Sequence, residues 1–256
     1  MDRTEISRIA HLHHPVAAPV DTNNVRALLS LLSPPAGARV VDLGCGQGEW
    51  LLELLTARPD LSGVGVDVAL PADLDARARE RGVGTRVQWV QADAANWDGG
   101  VFDVVFCVGA SHAFGGLAGT LDAVRDMVRP GGQVLLGDTT WDKPPSKAAQ
   151  EALEATPEDF PDLLGLVKRV QESGFEPGYG HVSTLAEWDD YEWSWTGSLT
   201  AWALAQDQDS LERAQALEVA REHRLAWLGG YRRQLGFATL LLHDLRQPFV
   251  PPADPS

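Results

Sequence analysis

The stretch VVDLGCGQGEW, residues 40–50, constrains the fold of this chain more than any other segment. Three glycines, Gly44, Gly46 and Gly48, fall within five positions, directly after an apolar run and before a helical pattern. Glycine lets the backbone turn sharply and lets a ligand approach where a Cβ would intrude. A strand, a glycine loop and a helix in that order open a doubly wound α/β sheet. Ligands of such sheets bind beyond the carboxyl ends of the strands, where the strand order reverses. An acid, Asp42, stands two residues before the first glycine. Beside a pyrophosphate it would be unfavourable, and the G-x-G-x-G spacing differs from the G-x-G-x-x-G of dinucleotide loops. A carboxylate there suits a ligand that carries an ammonium group.

The pattern around the loop agrees. Residues 38–44 read as a buried strand, 47–59 as a helix stopped by Pro59, 61–69 as a strand, and 71–82 as a polar helix between Pro71 and Gly82. Strands at 86–93 and 102–110, an amphipathic helix over 117–132 and a strand at 133–139 follow. This alternation, with strands that are near-continuous apolar runs, predicts a parallel sheet covered on both faces. A helix at 160–177, an edge strand at 178–185, long helical patterns at 186–206 and 210–236, and a last strand at 237–247 complete the chain before a proline-rich tail. The expected fold is therefore α/β: a doubly wound, Rossmann-like, seven-stranded and mostly parallel sheet. The expected division is an N-terminal lid (1–36), an α/β core (37–185), a helical cap (186–236), and the last strand with its tail (237–256).

Composition narrows the partners. A formal charge of −15, from 21 basic and 36 acidic residues, repels phosphate backbones and argues against nucleic acid. The first twenty residues hold no apolar stretch long enough for a signal peptide or a membrane span, so the chain reads as cytoplasmic, with no membrane partner. Cys45 and Cys107 are too few for a disulfide framework or a metal site and read as small buried residues on neighbouring strands. Both a monomer and a homodimer agree with the sequence.

The glycine loop resembles motif I of the class I S-adenosylmethionine-dependent methyltransferases, and the likeness extends over residues 38 to about 139. The resemblance implies S-adenosyl-L-methionine as cofactor. It places Gly44, Cys45, Gly46 and Gly48 under the methionine part and Asp42 near its amino group. It makes Asp67, at the end of the second strand, the acceptor for both ribose hydroxyls, which two carboxylate oxygens can serve. It makes Asp93, at the end of the third, the acceptor for the adenine amino group, with the Ala94 N–H beside it and Val68 or Trp97 against the ring. Asp67 and Asp93 would also serve as plain strand-end or N-cap residues. Two acids at successive strand ends after such a loop favour the cofactor role.

The fourth strand ends in VGASHAFGGL instead of the NPPY of amino-group and nucleic-acid methyltransferases. It resembles a bacterial subgroup with GxSHAxGG here and EWDxYE in the cap, which implies a small-molecule acceptor. Gly109 would let the chain pass the reactive end of the cofactor, with Ser111 and His112 where methyl meets acceptor. His112 is read either as a general base, its ordinary pKa lying near the working pH, or as a positioning residue that moves no proton. In AHLHHPV, His11 and His14 are spaced as a metal pair but lack a third ligand, so no metal is expected. The segment reads as a lid bringing His14 or His11 near the acceptor, or as a surface cluster.

In EWDDYEWSW, Trp188, Tyr191 and Trp195 share a helix face and Trp193 lies elsewhere. With Trp141 they read as an aromatic pocket for a small planar or cationic acceptor, or as packing. Asp189, Asp190 and Glu192 read as an amine-recognising group or as solvated helix charge. The function expected is methyl transfer to an O, N or S atom of a small molecule. The rivals are attack on the aminopropyl chain, which would release methylthioadenosine, a non-catalytic cofactor-binding protein, and a nicotinamide-dependent oxidoreductase.

Overall fold

Mostly apolar runs become the centre of the sheet, because a strand covered on both faces has little wet surface on which to place a charge. A computed structural model describes residues 1–246. The strands are β1 (Arg39–Leu43), β2 (Ser62–Asp67), β3 (Val87–Gln91), β4 (Phe102–Val108), β5 (Val128–Trp141), β6 (Phe175–Val182) and β7 (Leu235–Asp244). They form one seven-stranded sheet in the order β3-β2-β1-β4-β5-β7-β6. β1 to β5 run parallel, and β7 lies antiparallel between β5 and β6. The strand order reverses at β1 and β4, so the carboxyl ends of these two strands bound the crevice where a ligand belongs.

Successive side chains alternate between the two faces, as period-two strands require. On β1, Val40 joins one core and Val41 the other. The first core packs against α2 (Thr22–Ser30) and α3 (Glu49–Ala57), the second against α5 (Leu117–Met127) and α7 (Leu163–Glu172). Short α4 (Leu74–Glu80) follows β2. Between β6 and β7 the chain forms α8 (Leu185–Leu204), α9 (Leu211–Ala226) and a π-helical turn, Trp227–Tyr231.

Several sequence readings change. The helix expected over 160–177 ends at Glu172, and the edge strand expected at 178–185 already begins at Phe175 and ends at Val182. The helix expected over 117–132 ends at Met127, and β5 begins at Val128. Val128 is buried opposite Phe102, and the register then slips to Val104 against Gln133, so Arg129–Gly132 form an irregularity in a strand instead of a helix exit. Three helices lay outside the periodicity: α1 (Arg3–Ala10), α2, and α6 (Lys147–Leu153). Each is short, and each is started by a side chain that accepts a backbone N–H, from Asp2, Asp21 and Ser146 respectively. The last-strand reading extends to residue 247 and the tail reading beyond it, which is outside the described residues. Among the described residues no helix is long and apolar enough to cross a membrane.

Candidate functional site

The glycine loop lies across the end of β2. Gly44 N–H and Cys45 N–H donate to the Val66 carbonyl at 2.8 and 3.1 Å. Gly46 N–H donates to Asp67 Oδ2 at 2.8 Å, and Ala69 N–H donates to Asp67 Oδ1 at 3.0 Å. Each oxygen of Asp67 thus keeps lone-pair capacity for a further donor. Gly44 has φ +74°, and a Cβ there would collide with the Cβ of Ala110 just beyond β4, so the ends of β1 and β4 touch through this residue. Gly48 caps α3 and rests on Trp89 from β3. Arg77 of α4 clamps the loop from outside: it donates to the Gln47 carbonyl at 2.7 Å and to Glu49 at 2.7 Å. Nothing in the polar look of residues 71–82 announced that role.

Asp42 is 2% exposed, and its Oδ2 has no hydrogen-bond partner. Burial, then the charge of Asp67, pushes its carboxyl up to about 8. Cys45 and Cys107 are free, buried thiols, and burial followed by Asp42 raises both. On the far side of the loop Val68 is largely exposed. Asp93 is exposed as well and accepts from Ala95 N–H at 3.0 Å and Asn96 Nδ2 at 2.6 Å, closing its own turn next to buried Ala94. Trp97 stacks on Phe102, 6.0 Å between centroids, so of the two apolar groups considered for a ring, Val68 is the open one.

At the end of β4, Gly109 has φ +74° and donates its N–H to the Gly137 carbonyl at 2.9 Å. A short 3-10 turn, Ser111–Phe114, follows. Ser111 Oγ donates to Asp138 Oδ1 at 2.8 Å, which also accepts Thr139 N–H. Asp138 is buried and burial raises its carboxyl, with the Ser111 hydrogen bond opposing. Sequence reading passed over it, although a lone acid closing the apolar run LLGD is a readable signal. His112 points into solvent from the same turn.

The N-terminal segment read as a lid passes this end of the sheet at Ala17. The Ala17 carbonyl is 3.8 Å from where a Cβ on Gly109 would stand, and Ala17 N–H donates to the His14 carbonyl at 3.1 Å. The three lid histidines dock on α8. His11 Nδ1 lies 2.8 Å from the Ser7 carbonyl, so it carries the hydrogen, and Nε2 then accepts from the Tyr191 hydroxyl at 3.1 Å. His13 meets Ser198 Oγ at 3.1 Å. His14 packs edge-on against Tyr191, 5.4 Å between centroids. Trp188 meets Tyr191 the same way at 6.2 Å.

The structure therefore brings His14, Trp188 and Tyr191 together and sends the other two aromatics elsewhere. Trp195 stacks on His223 at 3.9 Å, beside a buried Glu192 that accepts from His223 and from the Tyr231 hydroxyl, each at 2.7 Å. Trp141 is buried against Phe160 in the core formed with Trp227 and Leu235. Asp189 is taken by Arg232 at 2.6 Å, whereas Asp190 is exposed.

Glu187 was not singled out in sequence, yet one carboxylate accepts from Asp21 N–H, Asn24 Nδ2, His181 Nε2 and Thr184, joining α2, β6 and α8. The T-x-x-E capping box at 184–187 was the signal for it. Among the described residues no group of three His, Cys, Asp or Glu side chains is placed to hold a metal ion.

Comparison with known proteins places this geometry. Residues 41–134 match the family of methyltransferase domains. The uncharacterized protein YjhP of Escherichia coli (strain K12) is 30% identical over 231 residues, which cover 88% of this chain and 91% of YjhP. A methyltransferase from Thiobacillus denitrificans, solved with S-adenosyl-L-homocysteine, is 28% identical with TM-score 0.83, over 94% of this chain and 99% of that one. The 27-O-demethylrifamycin SV methyltransferase of Amycolatopsis mediterranei (strain S699) is 29% identical over 160 residues, 59% of this chain and 58% of that enzyme.

Sheet order, glycine loop and relatives together define one class of enzyme, the S-adenosylmethionine-dependent methyltransferases of class I. The chain belongs to that family. Its own atoms fit the cofactor: an unpartnered, buried carboxylate suits an ammonium group, and Asp67 retains acceptor capacity at the strand end where a diol would lie.

Proposed function

We propose that this enzyme transfers a methyl group to an O, N or S atom of a small molecule held under the lid. The observation that carries this reading is the His14–Tyr191–Trp188 cluster, which the lid and α8 assemble, together with the approach of the same lid segment, at Ala17, to Gly109 beyond the end of β4. A site roofed by a folded segment suits a compact acceptor better than a polymer. The charge of −15 points the same way. The rifamycin relative is named for methylation at an oxygen of a small molecule, and that supports an oxygen acceptor first.

In this reading the ammonium of the cofactor lies near Asp42, its methionine part lies on Gly44–Gly48, its ribose hydroxyls donate to Asp67, and its adenine lies between Asp93, Ala94 and Val68. The cofactor, when bound, supplies an electrophilic methyl on a sulfonium. The chain aligns the acceptor with that methyl and keeps water out, and alignment alone accounts for a large share of such accelerations. Ser111, held by Asp138, fixes the turn that carries His112 at the rim.

The test is incubation with S-adenosylmethionine and a panel of phenols, enols, carboxylic acids, amines and thiols, with products identified by mass. S-adenosylhomocysteine together with a methylated acceptor is expected. Methylthioadenosine instead would overturn methyl transfer.

A further inference from the structure

We propose that His14, not His112, is the general base of this reaction and that Asp190 orients it, which makes the acceptor one that loses a proton on transfer. The inference rests on the methyl-transfer reading above and goes beyond it by assigning the proton.

His14 is 8% exposed, and its Nδ1 is buried without a hydrogen-bond partner. Its Nε2 lies 3.8 Å from Asp190 Oδ2. A carboxylate only accepts, so it favours the tautomer with hydrogen on Nε2 and leaves Nδ1 with a free lone pair. The ring cannot easily swing away. Tyr191 packs against it at 90°, and Tyr191 is itself fixed by donating to His11, whose own tautomer is set by the Ser7 carbonyl. Burial keeps the Tyr191 phenol protonated, and both ring nitrogens of His11 are engaged, Nδ1 with the Ser7 carbonyl and Nε2 with the Tyr191 hydroxyl, so neither competes as base. Burial, the largest influence, lowers His14 against the opposing pull of Asp190 and of its own backbone, and the net shift favours the neutral ring that can take a proton. The groups facing it are Asp190 and Tyr191 from α8 and His11 from its own segment. His112, by contrast, is exposed to solvent.

The step balances within the site. The X–H bond of the acceptor breaks and its proton goes to Nδ1. The electron pair left on X forms the bond to the methyl carbon, and the pair of the breaking C–S bond stays on sulfur. The imidazolium that results has the Asp190 carboxylate beside it. Phenols, enols and carboxylic acids fit this step, whereas a tertiary amine or a thioether needs no base.

Two measurements decide it. In histidine-15N-labelled protein loaded with S-adenosylhomocysteine, with signals identified by their loss in His14→Gln or by backbone connectivity, His14 is expected to be neutral at pH 7, with a bare Nδ1. In Asp190→Asn its titration should move to lower pH, since the carboxylate no longer favours the imidazolium. Hydrogen on Nδ1, or an imidazolium at neutral pH, would overturn the assignment. With an acceptor from the panel, His14→Gln should lower kcat by about 10²–10⁴-fold, while S-adenosylhomocysteine affinity changes less than about twofold and His112→Ala has the smaller effect. Unchanged kcat, or an equal loss of affinity, would also overturn it. A panel without turnover counts against the methyl-transfer reading, and the nitrogen spectra still decide the tautomer.

Discussion

The two halves of the proposed site are built by different means. On the cofactor side the contacts are backbone to backbone or backbone to carboxylate, between segments joined by short connections: Gly44 and Cys45 to Val66, and Gly46 to Asp67. On the acceptor side they are side chain to side chain across most of the chain. His11 meets Tyr191 180 positions away, and Asn24 meets Glu187 163 positions away. A loop held by its backbone tolerates few sequences but does not depend on distant residues. A pocket held by paired side chains can be rebuilt by changing a few of them, so acceptor choice can drift while the cofactor half stays as it is.

The largest effect should come from breaking the cofactor half at its tightest point. Gly44→Val forces a left-handed backbone on a branched residue and drives its Cβ into Ala110. Roughly 3 kcal/mol or more of stability should be lost, read as a fall in thermal midpoint together with loss of S-adenosylhomocysteine binding. Glu187→Ala probes the other half. It strips donors on four residues of their shared acceptor and should cost about 2–3 kcal/mol of stability, with cofactor affinity little changed by calorimetry. If affinity fell as far as stability, the two halves would not be separable.

Asp67→Ala should weaken S-adenosylhomocysteine binding by about 1–3 kcal/mol, the worth of charge-assisted hydrogen bonds. Unchanged affinity would remove Asp67 from the ribose. Asp42→Asn should act in opposite senses on binding and on stability. Its carboxyl ionises at 3.8 when exposed and near 8 in the fold. Below both values it is protonated in folded and unfolded chain alike and contributes nothing. As pH rises between them, only the unfolded chain releases the proton, and the fold loses stability. The ligand-free variant should therefore gain on the wild type steadily from pH 4 to pH 8 and then hold level, while binding the cofactor about 1–2 kcal/mol less tightly. The smallest effect belongs to Trp195→Phe, which disturbs the stack on His223 and should leave cofactor affinity unchanged within experimental error.

Sheet, strand order class and cofactor were legible in the sequence because they are written locally. An apolar run, a glycine loop and an acid at the next strand end are each readable within a few residues. The acceptor side was legible only as a set of residue types. That Trp188 and Tyr191 meet His14 while Trp195 turns to His223 follows from where α8 seats between lid and α9, a tertiary fact that helical spacing alone does not contain. Asp138 and Arg77 escaped for the same reason, since each is defined by a partner on another element. α1 and α2 escaped because helices of eight and nine residues show barely two turns of pattern and are held by their caps and by packing.

One consequence follows from how the lid is fastened. Upstream of His11, Ile9 and Ala10 are buried in a core shared with Leu199 and Ala203 of α8 and Ala216 and Ala220 of α9. Downstream of Val20, the start of α2 is tied to Glu187. Residues 11–20 are thus a strap anchored at both ends and seated between them, with Val16 and Ala18 buried in the first core, not a flap hinged at one end. A flap can swing clear and admit a bulky guest, whereas a strap can only bow. If the acceptor sits beneath it as proposed, the little room gained by bowing sets an upper limit on that acceptor's girth.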